Sequence, residues 1–94
     1  MQPDLVVHMH RDTGVHDGPR VGLVVTKAIG GAVERHRVAR RLRHAARGVV
    51  GALAPTDHMV IRALPGSLRA KPELLQQELA SAVDHARQLM ERAG

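Results

Sequence analysis

One stretch, from Val25 to Arg43, constrains this chain more than any other. It reads as the end of a strand, a glycine turn at Gly30-Gly31, and a helix that opens with arginine. Between Arg35 and Arg47 stand six arginines and no acidic residue, while the whole chain nets +5, so the remainder sums to about −1. At about 100° per residue, Val38, Leu42, Ala45, Val49 and Leu53 fall along one stripe and His36, Arg40, Arg43, His44 and Arg47 fall opposite. Such a helix has to bury one side and show a cationic face on the other. A face that only solubilises the protein usually mixes charges of both signs, and this one does not. The bias therefore predicts a polyanion-binding surface. Arginine refines the ligand, because its planar guanidinium matches phosphate oxygens and stacks on bases. A membrane surface fits less well, since the apolar stripe has no Trp or Phe and is needed to cover a sheet.

The rest of the chain supplies that sheet. Leu5 to His10 reads as a first strand, with β-branched residues at its centre. Arg11 to Pro19 is dense in Asp, Gly and Pro and reads as a hairpin loop. Arg20 to Lys27 reads as the second strand, and its nearly continuous apolar centre predicts burial on both faces, in the middle of the sheet. After the basic helix, Ala54-Pro55-Thr56-Asp57 is a stop signal, and His58 to Leu64 reads as a third strand, parallel to the second because a whole helix separates them. Pro65-Gly66-Ser67 turns the chain, and Pro72 suits the first turn of a final helix whose core face is Leu75, Leu79, Ala82, Ala86, Leu89 and Met90. The fold class is α+β: a two-layer α/β sandwich with a small mixed sheet, one βαβ crossover and a C-terminal helix.

Ninety-four residues make one domain, 1–94. With no Phe, Trp or Tyr, its core must be built from Val, Leu, Ile, Met and Ala. Absence of cysteine removes disulfides and thiolate metal sites and fits a reducing cytoplasm. No apolar run approaches the roughly 18 residues that span a bilayer, and Met1-Gln2-Pro3-Asp4 lacks the basic start of a secretion signal, so the expected location is cytoplasmic. Catalytic patterns are missing as well: no supportable Ser-His-Asp order, no paired carboxylates at a plausible spacing, no Walker-type loop. His8 and His10 would share one face of the first strand, but no further ligand falls in a recognisable pattern, and they read as the polar side of an outer strand. Gly30-Gly31, beside Lys27 and Arg35, reads as a turn whose backbone N–H groups could meet a phosphate. A strong polyanion face without a catalytic set describes a binding partner better than a self-sufficient enzyme.

The run from Thr26 to Arg43 resembles the signature of the bacterial ribonuclease P protein component. In that family a strand ending in Ser or Thr and Lys leads through a glycine-containing turn into an Arg-Asn-Arg helix, continued by Lys-Arg and a further Arg. The order of elements is similar from about residue 5 to the C-terminus. The resemblance implies a left-handed βαβ crossover against the general right-handed rule. It also implies a function: a protein subunit that binds a catalytic RNA and assists Mg²⁺-dependent endonucleolytic removal of the 5′ leader from precursor tRNA. The metal would be held through the RNA subunit, with no metal site on the protein, and no stable protein partner is expected. Carried over by position, Arg35, Arg37, Arg40 and Arg43 would contact the catalytic RNA, and Lys27 would close the preceding strand. His36, Arg41 and Arg47 complete the expected RNA-binding set.

Three residues depart from the family pattern. His36 stands where the family has Asn, Ala39 where it usually has Lys, and Ala28 where a second Lys is frequent. The first replaces a neutral amide by a group whose charge changes near neutral pH. The other two lower the positive charge without abolishing the face. Family members also begin with a helix bearing basic residues and phenylalanine that helps form the cleft for the leader, whereas this sequence starts almost at the strand. The expectation is tighter engagement of the catalytic RNA than of the leader. Other classes share parts of the pattern. A ribosomal or other structural RNA-binding protein shares every feature except the order of the motif. A helix-turn-helix regulator would need a second helix a short turn away, and a nuclease using His8, His10 or His36 would need to cleave RNA unaided.

Overall fold

The computed structural model describes residues 4–11 and 18–93. Three strands and two helices follow one another: β1 (Leu5–Arg11), β2 (Arg20–Val24), α1 (Ala32–Arg47), β3 (Asp57–Ala63) and α2 (Pro72–Ala93), with short 3₁₀ turns at Val50–Ala52 and Pro65–Leu68. β3 lies between the other two strands, antiparallel to β1 and parallel to β2. The β2-α1-β3 segment is thus the expected βαβ unit in a mixed sheet, and the α+β class holds.

The strand order corrects two expectations. β1 and β2 are not neighbours, so the connection from Arg11 to Pro19 is not a hairpin loop; Arg11 itself belongs to β1, and residues 12–17 lie outside the described residues. β2 is an edge strand, it stops at Val24, and most of it is exposed. Its apolar run describes a strand that packs by one face only. β3 takes the centre because it can pair on both sides, and its sequence shows the alternation: Asp57, Met59, Ile61 and Ala63 are buried, while His58, Val60 and Arg62 turn outward.

Both helices contribute to one core behind the inward face of the sheet. α1 buries Val38, Leu42, Ala45 and Ala46, and α2 buries Leu75, Leu79 and Val83 at four-residue intervals. Val49 and Leu53 join this core from the chain after α1 rather than from the helix, which ends at Arg47. On α2, Val83 takes the inner position, whereas the expected Leu89 is 51% exposed. Gly48 follows α1 where α2 comes close: a Cβ there would lie 3.0 Å from Gln76 Nε2.

With no aromatic side chain, polar anchors matter. Asp57 is 1% exposed, and its carboxylate accepts hydrogen bonds from Arg11 Nε at 2.9 Å and from the Ala54 backbone N–H at 2.8 Å. It ties the end of β1, the start of β3 and the turn before it into one knot. Near the other end, the Leu64 N–H donates to Asp4 O at 3.0 Å and the Asp4 N–H donates to Glu78 Oε2 at 3.0 Å. Burial first, then the Asp4 side chain through a hydrogen bond and its charge, push the Glu78 carboxyl above its ordinary value, against the Asp4 backbone N–H, which pulls it down.

Asp57→Asn leaves Arg11 without its carboxylate and is expected to lower stability by about 2–3 kcal/mol, read as a lower urea midpoint. For Glu78 a raised folded value means that its contribution is full below the ordinary carboxyl range and lost as pH rises through the folded value. Glu78→Gln is therefore expected to melt above the parent at pH 7 and level with it by pH 4; a parent that melts higher at pH 7 contradicts the assignment.

Candidate nucleic-acid interface

The chain enters the site through a turn. The Ile29 N–H donates to Thr26 O at 3.1 Å and the Gly30 N–H to Lys27 O at 3.2 Å, with Ile29 buried as the anchor. Lys27 thus sits exposed in this turn, three residues past β2, rather than closing the strand. Gly30 has φ +153°, a conformation that side chains resist, which explains glycine there. Gly31 caps α1, and a Cβ at that position would lie 2.9 Å from Glu34 Oε2. The carboxylate of Glu34 in the first turn therefore leans back over the helix start. A negative group of the chain itself thus lies beside the turn that the sequence reads as able to meet a phosphate, with no side-chain hydrogen bond capping the helix start.

The cations gather further along α1. Burial of Val38, Leu42, Ala45 and Ala46 turns the other side of the helix outward, and His36, Arg37, Arg40, Arg43, His44 and Arg47 are all exposed there. They fall within an arc of about 120°. Arg35 lies outside it, beside the core stripe and half-buried, with Nε shielded and without a hydrogen-bond partner among the described residues. Arg41 is half-buried on the opposite flank, where one of its terminal nitrogens, NH1, donates to Leu68 O at 3.2 Å and reaches Ala70 O at 3.5 Å. It binds α1 to the turn before α2. Of the eight predicted residues, the structure brings five together on the exposed face of α1, while Arg35 and Arg41 flank it and Lys27 stands before it.

Two grooves border this face. One, of about 730 Å³, runs between α1 and the start of α2 and is lined by His36, Arg37, Arg40, Arg41 and His44 on one side and Pro72, Glu73 and Gln76 on the other. The second, about 430 Å³, separates Arg43 and Arg47 from Val21 and Leu23 at the β2 edge. His44 and Gln76 were absent from the predicted set. The helical position of His44 signals its membership, but only packing of α2 brings Gln76 there.

A separate surface is the outward face of the sheet, which no helix covers among the described residues. The register aligns His10, His58 and Arg20 in one row, His8, Val60 and Gly22 in the next, and Val6, Arg62 and Val24 in the third. The rings of His10 and His58 lie 4.7 Å apart. Among the described residues this face carries no carboxylate, and the strand pattern of His8 and His10 had pointed to it. Among the described residues no group of three or more His, Asp or Glu side chains is arranged to hold a metal ion, and no helix is long and apolar enough to cross a membrane.

The chain is thus an α+β domain with a mixed sheet and a cationic crossover helix, and comparison gives the family. The family model described as Ribonuclease P matches residues 1–87. A ribonuclease P protein component from Mycobacterium avium is 63% identical over 81 residues, covering 83% of this chain and 68% of that relative. One from Mycolicibacterium gilvum is 55% identical over 97 aligned positions, covering 99% of this chain and 77% of the relative. The Staphylococcus aureus RNase P protein structure superposes with a TM-score of 0.75 at 20% identity, covering 92% of this chain and 78% of that one. The RNase P protein from Thermotoga maritima gives 0.70 at 21% identity, covering 86% and 76%. This chain belongs to the ribonuclease P protein family.

The two neighbouring arginines should separate by measurement. Arg41→Ala removes bonds to two backbone carbonyls and is expected to cost about 1–2 kcal/mol of stability, whereas Arg40→Ala is expected to stay within about 0.5 kcal/mol. Denaturant midpoints of the two variants test this; equal midpoints would remove the structural role given to Arg41.

Proposed function

We propose that this chain is the protein subunit of a ribonuclease P, binding the catalytic RNA through the outer face of α1 and assisting removal of the 5′ leader from precursor tRNA. One observation carries the reading: membership in the family coincides with an exposed helix face that holds four arginines and two histidines and no acid. Arg37, Arg40, Arg43 and Arg47 supply phosphate contacts, with His36 among them, and Arg35, Arg41 and Lys27 add charge from the flanks. Neutralising phosphates releases condensed counterions, so two RNAs can approach at lower Mg²⁺ and the complex weakens steeply with salt. The hydrolysis is chemistry of Mg²⁺ held by the catalytic RNA. The protein's part is to bind, orient and neutralise, and its expected place of action is the cytoplasm. The sheet face that no helix covers among the described residues, with Arg20, Arg62 and three histidines, is the surface available to the leader.

The test is cleavage of a precursor tRNA by the cognate catalytic RNA at low Mg²⁺, with and without this protein. Stimulation is expected, together with its loss in an Arg40→Ala, Arg43→Ala variant that melts like the parent. Saturable RNA binding without stimulation would point instead to a structural RNA-binding protein.

A further inference from the structure

The cationic face contains two residues of a different chemical kind. His36, Arg40 and His44 are spaced by four and so form one line along α1, all three exposed and all three on the wall of the groove toward α2. Arg37 and Arg41 of α1 share that groove, and Arg47 follows one turn after His44. From α2, the charged group facing them is Glu73, with neutral Gln76 beside it. Imidazole is the side chain whose charge changes between pH 5 and 8. A phosphodiester laid along this line would meet Arg40 at the centre and an imidazole one helical turn to either side. A negative charge at that distance favours the protonated imidazole.

Resting on the RNA-binding reading above, we infer that the groove between α1 and the start of α2 seats RNA backbone phosphate, with His36 and His44 as additional, proton-linked contacts. In their charged form both histidines are donors to phosphate oxygens, so binding takes up protons and tightens as pH falls. The acid on the far wall, Glu73, limits how many phosphates enter and sets which side of the line the backbone occupies.

The experiment measures equilibrium binding of the cognate catalytic RNA to the full chain across a salt series at pH 6.0 and pH 8.0. The parent is compared with His36→Asn, His44→Asn and with a His85→Asn control, an exposed histidine of α2 outside both grooves. Each further phosphate that the protein neutralises adds roughly 0.7–0.9 to the slope of log affinity against log salt. The parent is expected to bind more tightly at pH 6.0 with a slope steeper by about 1 to 2, and the His85→Asn control to behave likewise. The α1 variant should show one slope at both pH values while melting like the parent. A parent slope that does not change with pH overturns the inference and leaves RNA binding standing, as does a pH effect that survives in the α1 variant. Absence of saturable binding at either pH overturns the RNA-binding reading itself.

Discussion

The outer surface of α1 is held in place by what its inner surface buries. Val38 and Leu42 are fully enclosed, and Ala45 and Ala46 let the helix settle close to the sheet and to α2. Burying a side chain of the size of Val or Leu is worth about 1.5–3 kcal/mol, more than the repulsion among well-solvated arginines on the far side. Once the apolar stripe is fixed, the rotation of the helix is fixed, and every cation takes its position from it. The cationic face is therefore a consequence of the core, and substitutions in the stripe would disturb it without touching a single arginine.

A core without aromatic rings asks more of its few polar anchors. Asp57 is enclosed, yet it joins β1 through Arg11 and the preceding turn through the Ala54 N–H. The half-exposed guanidinium keeps contact with water, so only the carboxylate bears the full desolvation cost of burial. Arg41 plays a comparable part at the other side of α1, turning a residue of the basic run into a clamp on the backbone before α2. One arginine-rich sequence thus serves two ends, presenting charge outward and bracing inward, and the direction of each side chain decides which.

The legible part of the fold was what depends on neighbours along the chain. The elements, the parallel relation of β2 and β3 and the amphipathic nature of α1 follow from periods of two and 3.6 residues and from turn residues. The unread part depends on strand order. The apolar run of β2 looks the same whether the strand is central or at the edge, and Arg11 to Pro19 has the same composition whether it joins neighbours or spans a strand between them. Glu34 is similar: sequence places it in the first turn, but only the backbone course at Gly30 and Gly31 brings its carboxylate back over the helix start.

Residue order and composition alone require that one helix carries a single-sign face, that the core is aliphatic, and that the motif marks the ribonuclease P family. These are properties of composition and spacing, which no partner element can change. Tertiary structure decided that β3 takes the middle of the sheet and that α2 closes a groove against His36, Arg40 and His44. It also turned Arg41 inward and, among the described residues, put both helices on one side of the sheet. Those outcomes rest on contacts between residues far apart in the chain, set by which apolar faces can be buried together, and no local pattern encodes them.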